Sequence, residues 1–135
     1  MRAFFLAAAV TACASSSTPP AHVPEPDRTR AETYAREGAE AFAAGDRARG
    51  LQRATFALVV RLAACGYDCP EVAYSFVQLG DMRYAVGQRG WAAQSYKKAL
   101  EVLAPHARTH AEWIAATRAR LTSVCQLGPF PACEP

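Results

Sequence analysis

Apolar residues recur at three- and four-residue intervals over most of the chain, and no stretch of useful length alternates apolar with polar. The pattern therefore predicts helices and no sheet. Over residues 30–44, Ala31, Tyr34, Ala35, Gly38, Ala41 and Phe42 fall on one stripe. Gly45-Asp46 ends that run, the glycine suited to a left-handed cap and the aspartate to the next start. A second helix over 47–64 places Ala48, Leu51, Thr55, Leu58 and Leu62 on one face. CGYDCP then interrupts, with Gly66 as a stop, Asp68 or Cys69 as a cap and Pro70 in a first turn. Helices follow over 71–86, 89–103 and 108–125. The fourth carries Ala92, Tyr96, Ala99 and Leu103 on one stripe, and the fifth has Trp113, Ile114, Leu121 and Val124 as its apolar members. Pro105 separates these two, and QLGPFPACEP reads as an irregular tail because its prolines oppose a helix.

The helices repeat. GAEAFAAGDR at 38–47 aligns with GDMRYAVGQR at 80–89, a period of 42, with Gly on Gly, Phe42 on Tyr84 and Gly45 on Gly87. Such a period points to stacked helical hairpins. The second copy resembles a tetratricopeptide repeat (TPR). Phe76 stands at its Trp position, Leu79-Gly80 follow, Ala92 and Tyr96 match the A-x3-F element, Ala99 is the next small residue, and Pro105 lies one past the closing Pro. Gly80 and Ala92 lack bulk, so two helices can approach closely, while Phe76 and Tyr96 fill the surrounding space. Arg83 holds the position of the family's Tyr, with the aromatic one residue later at Tyr84. The first copy is weaker: Tyr34 and Gly38 match, Glu37 replaces the Leu, and Gly50 and Ala54 stand where Ala and the aromatic belong. The spacing exceeds the usual 34 residues by about eight, which makes Cys-bridged Sel1-like repeats a neighbouring family. The resemblance covers 30–105 and implies an all-α fold: about two TPR-like antiparallel hairpins plus a C-terminal capping helix, over residues 29–127, with 128–135 as the tail.

The beginning of the chain has another character. Met1-Arg2 is followed by AFFLAAAV, an apolar run of eight. That length suits a signal-peptide core; a membrane span needs roughly 20 residues. VTAC at 10–13 resembles the bacterial lipobox, which implies residues 1–12 as a signal peptide and Cys13 as the lipidated first residue of the mature protein. The alternative is an ordinary secretory signal cleaved near Ala14. Residues 13–28, which include SSSTPPAHVPEP, have almost nothing to bury and read as a flexible Ser/Pro tether. Ala14 is not the Asp that retains many lipoproteins at the inner membrane, so the resemblance implies an exported, periplasm-facing, outer-membrane location.

Four further cysteines, Cys65, Cys69, Cys125 and Cys133, make an even set for an exported chain and suggest two disulfides. Three connectivities are open, and the local pairs Cys65–Cys69 and Cys125–Cys133 are favoured. A four-Cys zinc site fits poorly, because the spacings are C-x3-C and C-x7-C. Repeat stacks need about three units to bury a continuous core and this one has about two and a half, so two cross-links would help to hold it.

Charge adds little. The chain is +3, with 15 bases against 12 acids in 135 residues, and the bases are dispersed. Nothing suggests phosphate tracking or nucleic acid. No phosphate loop, serine elbow or carboxylate pair stands out, and His106 and His110, although four apart, lack any surrounding HExxH. The expectation is a protein that is not an enzyme, with no catalytic residues, metal or cofactor. What the TPR resemblance implies instead is a groove along the first helices of the hairpins, with Glu32, Arg36 and Phe42 from the first copy and Tyr74, Gln78, Asp81 and Tyr84 from the second. The alternative for Phe42 and Tyr84 is core packing. The function implied is an adaptor or scaffold of the assembly-factor or pilotin type. It would bind a protein or peptide in the cell envelope and touch the membrane through its lipid only. The alternative is a module that binds a cell-wall ligand or inhibits a hydrolase.

Overall fold

The computed structural model describes residues 22–135. Cys13, the expected signal peptide and most of the expected tether lie outside the described residues. Among those described there are five α-helices and no strands: α1 (Asp27–Ala43), α2 (Arg47–Cys65), α3 (Pro70–Ala85), α4 (Arg89–Leu103) and α5 (Ala111–Cys125). Consecutive helices pack against each other, so the chain forms the hairpins α1–α2 and α3–α4, with α5 laid against α4. No helix among the described residues is long and apolar enough to cross a membrane.

The 42-residue period is written into the turns. At the end of α1, Gly45 N–H bonds to Phe42 O at 3.1 Å and Asp46 N–H to Ala41 O at 3.0 Å. At the end of α3, Gly87 N–H bonds to Tyr84 O at 3.0 Å and Gln88 N–H to Arg83 O at 2.8 Å. Both are Schellman motifs, and each needs a left-handed residue at its corner. Gly45 and Gly87 supply it with φ of 92° and 81°. Asp46 then caps α2, its carboxylate accepting from Arg49 N–H at 3.1 Å.

Within each hairpin the contact is built on small residues. A Cβ on Gly80 would lie 2.5 Å from Tyr96 Cε1, and one on Gly38 would lie 3.0 Å from Ala54 N and Gly50 O. Gly38, Gly50 and Ala54 are the positions one period before Gly80, Ala92 and Tyr96, so the same crossing is made twice with different bulk. Arg83 lies across its own hairpin. It donates to Ser95 Oγ at 2.8 Å and places its guanidinium 5.7 Å from the Trp91 ring centre.

The largest core cluster joins Val72, Ala73, Val77, Ala92, Tyr96, Ala99, Leu103 and Val124. The α4 stripe is buried as its spacing predicts. The predicted face of α2 is corrected. Ala48 and Thr55 are exposed, Leu51, Leu58 and Leu62 are half-buried, and the buried set includes Gly50, Ala54, Ala57, Arg61 and Cys65. Glycine and alanine carry too little hydropathy to announce a buried face, whereas helix crossings require just such residues.

Three boundaries are also corrected. The tether reading fails at its far end, because Val23 is completely buried in the main cluster and α1 already starts at Asp27. Arg28 Nε donates to Val23 O at 3.1 Å and fixes that segment against the helix. Helix α5 begins at Ala111, after a single 3-10 turn, Ala104–His106, rather than at 108. The tail contains a second 3-10 turn, Pro131–Cys133, and packs Phe130, Ala132 and Cys133 on the core, so it belongs to the domain. Shortening Val23 to Ala is expected to cost about 2 kcal/mol of unfolding free energy, measured in urea, as for other buried aliphatic truncations. A tether residue would change nothing measurable.

Candidate functional site

Helices α1, α3 and α5 each contribute side chains to one open cavity. Between them lies an open cavity of about 400 Å³, lined by Phe42 and Ala43 of α1, Tyr74, Val77, Gln78, Asp81 and Met82 of α3, and Trp113 of α5. The floor is apolar. Phe42 rests on the small cluster of Ala54, Leu79 and Met82, and Trp113 meets the Tyr74 ring edge-on. Tyr74 remains 38% exposed, so the aromatic wall is open to solvent.

Two polar side chains also line the cavity, and both are held. Gln78 Nε2 donates to the α1 carbonyl of Ala35 at 2.8 Å and ties the two hairpins together. Asp81 Oδ1 accepts from the Tyr96 hydroxyl at 2.7 Å and from Arg120 Nε at 3.1 Å. Asp81 also separates the cavity from a neighbouring cleft of about 490 Å³ between α3 and α5. That cleft is lined by Tyr84, Tyr96, Arg120 and the small residues Ala116 and Ala119.

Of the seven predicted groove residues, Phe42, Tyr74, Gln78 and Asp81 line the cavity, and Tyr84 borders the adjoining cleft. Glu32 and Arg36 do not line either and are corrected. Arg36 pairs with Glu40 at 3.1 Å on the exposed side of α1. Glu32 lies near Arg61, where its charge opposes the lowering of that guanidinium's pKa by burial. Arg61 is buried and donates to Ser75 Oγ at 2.6 Å. The sequence reading missed Val77, Met82 and Trp113 as cavity residues. For Trp113 the signal was present: α5 follows α4 as α3 follows α2, so it occupies the place of a third first helix.

Tyr96 gives the site a pH signature. Its burial, and then its hydrogen bond to Asp81, hold its hydroxyl above the ordinary tyrosine range. The folded state keeps the proton while the unfolded chain loses it near pH 10. This stabilising contribution is therefore complete below pH 10 and is lost as pH rises above it. Urea unfolding from pH 8 to 11 is expected to show falling stability, with a shallower fall for Tyr96→Phe.

The paired cysteines stand away from the cavity. Cys65 and Cys69 are at disulfide distance with Cα atoms 6.0 Å apart, and Cys125 and Cys133 with Cα atoms 5.6 Å apart, both within the usual span. His106 contacts the Asp68 carbonyl at 3.0 Å, and His110 contacts Thr109 Oγ1 at 2.8 Å. Among the described residues no group of three or more His, Cys, Asp or Glu is placed to hold a metal ion. No protein-family model, curated protein or solved structure matches this chain.

Proposed function

We propose that the protein is an exported, TPR-like lipoprotein, anchored through Cys13 and facing the periplasm, that holds a protein segment in the cavity between α1, α3 and α5. The observation that carries this is the convergence of Phe42, Tyr74 and Trp113, one from each first helix, on one open apolar cavity. Aromatic anchors around a desolvated centre are where interface energy concentrates. An apolar side chain of a peptide or partner helix fits this lining. A cell-wall glycan asks for more hydrogen-bonding groups than Gln78 and Asp81 supply, and both already have partners. The role is that of an adaptor at the envelope.

The test uses the full chain in native membranes, with a photo-crosslinking residue at Ala39 or Ala43, which line the cavity, or at Gln94, an exposed α4 position away from it. A discrete protein adduct is expected from the cavity positions alone. Trp113→Ala is expected to weaken it about tenfold or more. Equal adducts at Gln94, or none at any position, would reject the reading. Adducts with peptidoglycan fragments would support the cell-wall alternative.

A further inference from the structure

The two ends of the helical stack are finished differently. At the α4 end, α5 and the tail cover the core with Trp113, Ile114, Leu121 and Phe130. At the other end, among the described residues, no further helix packs on the outer side of the α1–α2 hairpin, and the Arg53 guanidinium lies 5.5 Å from the Tyr34 and 6.0 Å from the Phe56 ring centre. Phe56 is 40% and Val59 55% exposed there. Tyr34 packs edge-on to Phe56 with ring centres 5.6 Å apart, and these residues border a shallow pit of about 260 Å³ with Arg30 and Val60. Stacked-hairpin proteins need a polar outer face on a terminal unit, and this unit has an aromatic and aliphatic one.

We propose that a second copy of this chain covers this face, forming a two-fold dimer through the outer sides of the two first hairpins. Two features select that occupant. A two-fold contact sets a patch against itself, and this patch holds both a pit and, in its wall, the 55% exposed Val59, an aliphatic side chain of a size to meet the same pit on the other copy. Its charges are also self-complementary. Arg30 pairs with Asp27 at 2.8 Å, and Arg53, above the two rings, pairs with Glu37 at 3.4 Å, so the patch carries two cations and two anions in balanced pairs. Each arginine can face an acid of the other copy. A net-neutral rim gives an anionic bilayer or a polyanion nothing to read. The proposal stands independently of what the cavity binds.

Sedimentation velocity of the full chain in mild detergent tests it, at concentrations up to roughly 100 µM because dimers follow mass action. The wild type is expected to sediment as a dimer. Phe56→Asp with Val59→Asp is expected to be a monomer with unchanged helical circular dichroism. The single change Val59→Lys, at an exposed position, is expected to raise the dimer dissociation constant at least tenfold and serves if the double variant does not fold. Tyr74→Ala, in the cavity, should leave the dimer intact. A wild type that stays monomeric throughout overturns the proposal. So does a dimer that survives Val59→Lys.

Discussion

Replacing Gly50 by valine is expected to lower the unfolding free energy by about 3 kcal/mol, at the upper end of overpacking costs. A Cβ there would lie 2.7 Å from Phe42 Cβ, 3.0 Å from Phe42 Cα and 3.0 Å from the Gly38 carbonyl oxygen. Two of these are backbone atoms of α1, so no rotamer change relieves the contact and α1 must move off α2. Even Gly50→Ala should destabilise, because the gain of about 1 kcal/mol from helix propensity is smaller than the strain. Gly90 provides the opposite sign in the same fold. A Cβ there meets only Phe130 Cδ1, at 3.4 Å, so Gly90→Ala should be neutral or stabilise by up to about 1 kcal/mol. Urea unfolding of the three variants measures the ordering. A Gly50→Val protein as stable as the wild type would mean that α1 and α2 do not cross at these glycines. Phe42 stands on the cavity wall, so the same variant should also loosen the groove.

Reducing both disulfides is expected to cost about 4–5 kcal/mol in the chain-entropy account, which assigns roughly 2 kcal/mol to so short a loop as Cys65–Cys69 and slightly more to Cys125–Cys133. For a domain of this size, the midpoint of thermal unfolding should fall by roughly 15 °C or more. Cys69 is fully buried and Cys65 nearly so, and thiols of the same volume remain after reduction, so the loss reports the cross-link and not a cavity. The bridges have different structural tasks. One fixes the corner from α2 into α3; the other folds the tail back so that Phe130 and Ala132 rest on the core. Cys125→Ser with Cys133→Ser should therefore expose the α4 end of the stack, detectable as faster amide exchange in α4 and α5. A reduced protein that melts within a few degrees of the oxidised one would remove bracing as the reason for the cysteines.

What was legible in the sequence divides along physical lines. Hairpin order, the two glycine corners and the buried face of α4 were readable because each leaves a local signature: a 42-residue self-match, a left-handed corner, an apolar stripe. The buried face of α2 was not, since Gly50, Ala54 and Ala57 are chosen for absence of bulk and add nothing to a hydropathy pattern. Repeat register did better than hydropathy there, because it aligned Gly50 and Ala54 with Ala92 and Tyr96. Val23 was hidden by its Pro-rich surroundings, whose composition describes most of the segment and not its one buried residue. Register along α3 placed Tyr74, Gln78 and Asp81 at the cavity. It carried Glu32 and Arg36 too far, because the wall opposite α3 is completed from α5 by Trp113 and not by the first half of α1.

The burial of Val23 sets a working radius. A tether running from residue 13 to 28 would let the domain roam about 50 Å from its point of attachment, at the extended length of roughly 3.3–3.6 Å per residue. Val23 is buried in the core and His22 sits beside Glu71 at 3.1 Å, so the fixed structure begins nine Cα–Cα steps after Cys13 and not fifteen. With Cys13 lipidated as proposed, that leash is about 30 Å at full stretch. On that proposal the domain would stay in a thin shell just above the lipid headgroups, and a client would have to present its segment within that shell.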